Sequence, residues 1–238
     1  MDKPSFLFLL IMAGTASIFA YEAFWPVFIP SSGFMLPPST GFVDALALSA
    51  FFILCVSLLI GPVAVLWPKA GVPLLGSRRA VGLAAFVFSL LHAILAIGLL
   101  YGFNPGILFG NFSLMAGAAA LLVLLGLALT SSDWATKALG ARNWKLVQYL
   151  NYLAFLLVFV HFIGIGKGIP GPQGIPKNIS VTAVLMLLLG ILAILLQAAG
   201  FLLRASRKAD APAPASTRAP AAVPASSAAP SDEKKEQV

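Results

Sequence analysis

Long apolar runs, separated by short polar, proline-rich or glycine-rich stretches, dominate the hydropathy pattern of the chain. Each run is about 17 to 24 residues long, which is the length that an α-helix needs to cross a bilayer. Backbone amides inside a bilayer must be paired within the protein, and no alternating ten-residue pattern of a membrane β-barrel occurs. The pattern therefore predicts an all-α integral membrane bundle of six transmembrane helices. Their predicted positions are residues 5–25, 44–67, 80–101, 114–131, 146–166 and 181–203.

The chain divides into a membrane domain, residues 1–204, and a tail, residues 205–238. Breaks rich in proline and glycine separate the predicted helices of the membrane domain. The tail contains the stretch APAPASTRAPAAVPASSAAPSDEKKEQV, which has almost no large apolar side chain to bury. We expect this tail to be disordered and cytoplasmic. The four breaks read PSSGFMLPPSTG, WPKAGVPLLGS, FNPG and IPGPQGIP.

The overall composition excludes an ordinary soluble domain. Of the 238 residues, 60% are hydrophobic and 10% are charged, and the mean hydropathy is +0.97. The net charge of +7 comes mainly from basic residues beside apolar runs, where such residues orient a membrane protein. We therefore expect the protein to contact membrane lipid and not to bind nucleic acid. Cys55 is the single cysteine, which excludes a disulfide framework and a CxxC metal or redox motif.

The distribution of lysine and arginine predicts the orientation of the bundle. Six spans put both termini on one side, and the side richer in basic residues faces the cytoplasm. Ten basic residues share the side of the termini against two opposite, so both termini are predicted to be cytoplasmic. A cleaved signal peptide is the alternative for the first run, and cleavage would leave five spans. The ten are Lys3, Lys69, Arg78, Arg79, Lys137, Arg142, Lys145, Arg204, Arg207 and Lys208, and the two are Lys167 and Lys177.

Both histidines of the chain lie deep inside predicted spans. His92 is about 12 residues into the third run and His161 about 15 residues into the fifth, and both runs start at the cytoplasm. At 1.5 Å per residue, their depths differ by only about 5 Å. Two neutral imidazoles at matched depth are what a six-coordinate haem iron needs, one for each face of the ring. Zinc fits less well, because it takes three or four protein ligands.

Small residues accompany both histidines at helical spacing. Their side chains would clear space for a porphyrin, but they equally permit close helix packing. For each histidine taken singly, a hydrogen bond within the membrane is the alternative role. The small residues on the third helix are Gly82, Ala85, Ser89 and Ala96, and those on the fifth are Ala154 and Gly164.

Two blocks of sequence around the histidines carry a family resemblance. The first block is Arg78, Arg79, Gly82, Leu83, Phe86, Leu91 and His92, and the second runs from LALTSS at Leu127 through Leu139, Gly140, Arg142, Trp144 and Tyr152 to His161. Together they cover about residues 77–162. In order and spacing they resemble the third to fifth spans of ferric-reductase-like transmembrane proteins, especially the haem subunits of bacterial methionine sulfoxide reductase systems.

The resemblance implies a b-type haem protein of the bacterial inner membrane that passes electrons across the bilayer, as the electron-transfer subunit of an oxidoreductase system. One haem b per chain is implied, with His92 and His161 as axial ligands of its iron. Arg78 and Arg79 would face haem propionates or an anionic donor. The positive-inside pattern by itself also accounts for these two arginines.

Gln148 is the point at which the chain departs from the family pattern. Four residues after Trp144, the family usually has a histidine that is associated with a redox site on the cytoplasmic side. Glutamine is a poor iron ligand and the chain has no third histidine, which excludes a second bis-histidine haem. We therefore expect a quinone or FMN, and not a haem, near Gln148 on the cytoplasmic side.

Electrons are expected to come from a partner, because no GxGxxG turn of a nucleotide-binding domain follows the sixth run. The expected donor is a cytoplasmic flavin reductase or a membrane quinol, and the expected acceptor is a redox protein on the outer face. A Rieske-type partner or direct reduction of ferric ions fits the sequence equally well. Outside the redox class, the alternatives are a haem-free scaffold and a small transporter, although no acidic residue lies mid-span to carry a coupling ion.

Overall fold

The computed structural model describes residues 3–24, 38–165 and 181–209, and every regular element within these ranges is helical. Six helices there are long and apolar enough to cross a membrane, which confirms the predicted all-α membrane bundle. Lys167, Lys177, the segment IPGPQGIP, most of PSSGFMLPPSTG and the tail from residue 210 lie outside the described residues. The main helices are α1 (Lys3–Phe19), α2 (Pro38–Leu66), α3 (Arg78–Leu95), α4 (Phe112–Leu129), α5 (Asp133–Gln148), α6 (Leu150–Gly164) and α7 (Val181–Ala209).

The third span is longer than its apolar run, because the predicted break WPKAGVPLLGS is itself helical. A short α-helix at Pro68–Gly71 and a 3₁₀ helix at Val72–Ser77 lead directly into α3, which continues as a π-helical turn at Ala96–Leu100. Each of the two short helices has a proline in its first turn, where a helix needs no backbone N–H donor. The whole span therefore covers Pro68–Leu100.

Helix α5 lies mostly in a stretch that the apolar pattern assigns to a loop between the fourth and fifth runs. Its start is set by Ser132, whose side chain accepts a hydrogen bond of 3.0 Å from the backbone N–H of Ala135. Gly140 interrupts the helix with φ 74° and ψ 154°, a conformation that is essentially restricted to glycine. The chain therefore enters α6 through a kinked helix of mixed polarity.

Helix α2 is the centre of the bundle and packs against α1, α3 and α7, whereas α4 packs mainly against α6. Fully buried side chains on α2 include Val43, Ile53 and Cys55. Phe51 on α2 stacks on two rings of α6, with ring centres 6.0 Å from Phe155 and 5.2 Å from Phe162. This aromatic contact joins the two packed groups of helices beside the histidines.

Candidate functional site

The structure brings the two histidines together from neighbouring parts of the bundle. His92 lies near the end of α3 and His161 near the end of α6. Their ring centres are 6.4 Å apart, and the ring planes are inclined at 66°. The matched depth that the sequence predicts is thus realised as a direct approach of the two imidazoles.

Each imidazole is oriented by a backbone carbonyl on another helix. His92 Nδ1 lies 3.1 Å from the carbonyl oxygen of Val43 on α2, and His161 Nδ1 lies 2.7 Å from that of Ser113 on α4. A carbonyl oxygen can only accept, so each Nδ1 carries the hydrogen and donates it. In a neutral imidazole the metal-binding lone pair is then on Nε2. A second hydrogen bond of this kind is typical of histidines that ligate metals.

The distance between the rings fits a single metal ion bound by both. A bond of about 2 Å from metal to nitrogen, and roughly 1.2 Å from nitrogen to ring centre, place the centres of two opposed imidazoles about 6.4 Å apart. The observed separation of ring centres is 6.4 Å. Two nitrogen ligands from opposite sides suit haem iron, whose other four ligands come from the porphyrin.

A cavity of about 340 Å³ surrounds the two rings, and we call it the histidine cavity. Side chains from α2, α3, α4 and α6 form its wall, which is mainly apolar. Many of the lining residues are small, so the wall leaves an apolar open volume beside the imidazoles. The small lining residues are Ala47, Ala50, Ser89, Ala93, Ala96, Gly117, Ala118 and Ala120.

The small residues that the sequence places beside the histidines have different roles in the structure. Ser89 and Ala96 line the histidine cavity, as predicted. Gly82 instead lines another cavity, and Ala154 is buried between helices. Gly164 faces Ser113 of α4. Ala85 lines neither cavity and is fully buried in the core, so the small residues on α3 serve both cavities and helix packing, and those on α6 serve helix packing.

A second cavity of about 620 Å³ lies at the end of the bundle that holds the arginines, and we call it the basic cavity. Arg78, Arg79 and Gln148 all line it, and none of them lines the histidine cavity. Leu124 contributes to both walls, so the two cavities adjoin. The two arginines and Gln148 thus lie at one cavity.

Cations and unpaired polar groups give the basic cavity its character. Arg78, Lys145 and Arg204 line it, while Arg79 forms a 2.7 Å ion pair with Asp133 at its rim. The buried Nε2 of Gln148 has no hydrogen-bond partner in the part of the chain that the structure describes. An unpaired buried amide and a surplus of cations suit a ligand with carbonyl or anionic oxygen atoms.

Backbone groups and one glycine are the functional features that the sequence could not indicate. The carbonyls of Val43 and Ser113 belong to helices without a histidine, so no spacing along α3 or α6 could identify them. Gly117 lies against the His161 ring, with no space between them for a side chain. It belongs to α4, whereas the small residues predicted beside the histidines lie on the helices of the histidines themselves.

Comparison with known proteins agrees with this arrangement. Residues 40–159 match the family model described as ferric reductase like transmembrane component. A heme-binding subunit MsrQ of protein-methionine-sulfoxide reductase from Agrobacterium fabrum is 33% identical over 150 residues, which are 61% of this chain and 68% of the relative. The subunit of the same name from Brucella ovis is 31% identical over 186 residues, which are 76% and 80% of the two chains. The chain therefore belongs to the ferric-reductase-like transmembrane family, in which its similar relatives include heme-binding subunits named MsrQ.

Proposed function

We propose that the protein is a haem b electron-transfer subunit of the bacterial inner membrane, with one haem per chain and both termini in the cytoplasm. His92 and His161 would hold the haem iron. The observation that carries the proposal is the pair of imidazoles with ring centres 6.4 Å apart, each donating its Nδ1 hydrogen to a backbone carbonyl. The names of the MsrQ relatives support the choice of haem.

The residues of the chain hold and shield the cofactor. The carbonyls of Val43 and Ser113 fix the tautomer of the two rings and leave each Nε2 with the lone pair that would bind iron. The wall of the histidine cavity is mainly apolar and includes Phe51 and Leu124, so it would limit the access of water to a bound cofactor. Haem supplies reversible one-electron chemistry when bound, and the protein sets its position and potential.

We infer that electrons enter at the basic cavity from a cytoplasmic flavin reductase or a membrane quinol. Arg78 and Arg204 would bind an anionic group such as a flavin phosphate, and the Nε2 of Gln148 would donate to a carbonyl oxygen of a quinone or of FMN. Electrons leave to a redox protein on the outer face. A methionine sulfoxide reductase partner is the candidate that the relatives' names support.

A quantified spectrum of the purified protein tests the proposal. The reduced-minus-oxidised spectrum in detergent should show one low-spin b-type haem per chain. His92→Ala and His161→Ala should each remove the haem while leaving membrane insertion intact, and Gln148→Ala should retain it. Full haem retention in both histidine variants would contradict the ligand assignment. A folded preparation without haem would favour a scaffold or a transporter.

A further inference from the structure

Helices α4 and α6 approach each other closely near His161, and a glycine on each helix lies at the contact. A methyl carbon built on Gly117 of α4 would lie 2.6 Å from Nδ1 and 2.8 Å from Cε1 of the His161 ring. One built on Gly164 of α6 would collide with Oγ of Ser113 and would lie 2.9 Å from its Cβ. Real Cβ atoms essentially never approach other atoms under 3.0 Å. Both positions therefore require glycine if the two helices keep this separation.

The two points of close approach act on the same ring. Ser113 and Gly117 are four residues apart, so they share one face of α4. The carbonyl of Ser113 accepts the Nδ1 hydrogen of His161 at 2.7 Å, and the missing side chain of Gly117 lets the ring lie flat enough against α4 to make that bond. A side chain at position 117 would push the ring away from the carbonyl.

We propose that Gly117 is a positioning residue that makes His161 the more tightly held of the two histidines that would bind haem iron. This inference depends on the proposed function. His92 is bound to the Val43 carbonyl at 3.1 Å, a longer hydrogen bond than the 2.7 Å of His161. A hydrogen bond to the outer ring nitrogen raises the basicity of the ligand nitrogen, and a more basic ligand stabilises ferric over ferrous iron.

Gly117→Ala should therefore weaken haem binding and raise the midpoint potential. Loss of an outer hydrogen bond of this kind typically lowers affinity by about 10-fold to 100-fold. If the loss is tenfold greater for the ferric than for the ferrous state, the potential rises by about 59 mV. The matched control is Gly126→Ala on the same helix, because a methyl group there meets no atom within 4 Å. We expect that control to keep the haem content and potential of the original protein.

A second measurement separates an effect on His161 from general misfolding. In a His161→Gly background, added imidazole should restore a low-spin spectrum, because a free ring can bind iron without being tied to α6. In this background Gly117→Ala and Gly126→Ala should behave alike, since the free imidazole can move away from the added methyl group.

The outcomes distinguish the positioning role from the proposed function. The positioning role alone would be overturned if Gly117→Ala had the same haem content and midpoint potential as Gly126→Ala while His161→Ala still lost the haem. Failure of imidazole to restore the spectrum only when Gly117→Ala is present would also overturn it, because the substitution would then act through the fold. An original protein without haem would overturn the proposed function and this inference with it.

Discussion

A proline in the central helix leaves one backbone carbonyl without its usual N–H donor, and a glutamine on another helix donates a hydrogen bond to that carbonyl. Helix α2 runs through Pro62, which has no N–H, so the carbonyl of Leu58 four residues earlier lacks its usual helical donor. The Nε2 of Gln197 on α7 donates to this carbonyl at 2.6 Å. Leu58 is 1% exposed, so water has little access to replace the glutamine. We therefore predict that Gln197→Leu destabilises the protein because of Pro62.

The size of the effect follows from the buried carbonyl that the substitution leaves unpaired. An unsatisfied buried acceptor costs about 1–3 kcal/mol in proteins generally. Hydrogen bonds between membrane helices average about 0.6 kcal/mol and reach roughly 1.7 kcal/mol. The Gln197 bond is short and its acceptor is buried. We therefore expect Gln197→Leu to lower the free energy of unfolding by about 1–2 kcal/mol.

A double-mutant cycle with Pro62→Ala tests the cause. Alanine restores the N–H at position 62, and this N–H can donate to Leu58 within the existing helix. Gln197→Leu should then cost only a few tenths of a kcal/mol, which gives a coupling energy of about 1 kcal/mol. Reversible denaturation in detergent, followed by helical circular dichroism for all four proteins, measures this coupling.

The same cost of Gln197→Leu in both backgrounds would refute the reasoning, because the glutamine would then not be serving the carbonyl that Pro62 leaves without a donor. Tyr152→Phe is the control for the other contact of Gln197. The Tyr152 hydroxyl donates to Oε1 of Gln197 at 3.4 Å, which is long for a hydrogen bond. Its loss should change the free energy of unfolding by less than about 0.5 kcal/mol in either background.

Two further substitutions test the geometry at the basic end of the bundle. Gly140→Ala should destabilise the protein by about 1–3 kcal/mol, because φ 74° with ψ 154° is restricted to glycine, and an unchanged denaturation curve would contradict this. Asp133→Asn should lower stability by less than about 1 kcal/mol at low salt, because its ion pair with Arg79 is exposed. The difference should shrink in 1 M salt, and a difference that persists there would mean that the carboxylate has another role.

The six spans could be predicted from the sequence because a bilayer imposes both length and apolarity on each helix. The same criterion of length and apolarity does not predict helix α5. It carries Asp133, Lys137 and Lys145, so nothing in its hydropathy marks a membrane helix. Its own signal is local, since Ser132 caps the first turn and Asp133 follows it. Such signals set where a helix begins, but they do not show where it packs.

The approach of the two histidines could also be predicted, because equal depth restricts two polar residues to one layer of the bundle. The features that orient the rings could not. They are backbone carbonyls, which every residue has, and the carbonyls at Val43 and Ser113 differ from others only in their tertiary position. Likewise, Gly117 faces His161 across a helix interface. The order of residues along one helix does not show which residues of another helix they contact.

The two cavities lie at different positions along the helices of the bundle. Both histidines lie at one cavity, so the proposed function allows one haem. Arg78 precedes His92 by 14 residues and Gln148 precedes His161 by 13, which puts the basic cavity about 20 Å along the helices from the ring pair. That distance is about two thirds of a ~30 Å hydrocarbon core.

In the proposed function, a carrier bound at the basic end would pass electrons toward the histidine cavity without a histidine ligand of its own. The basic cavity adjoins the histidine cavity at Leu124, and it offers cations and the unpaired amide of Gln148 in place of an imidazole. Glutamine suits hydrogen bonding to a carbonyl-bearing ring and does not suit iron. Gln148 is thus compatible with the proposed electron entry through a flavin or a quinone.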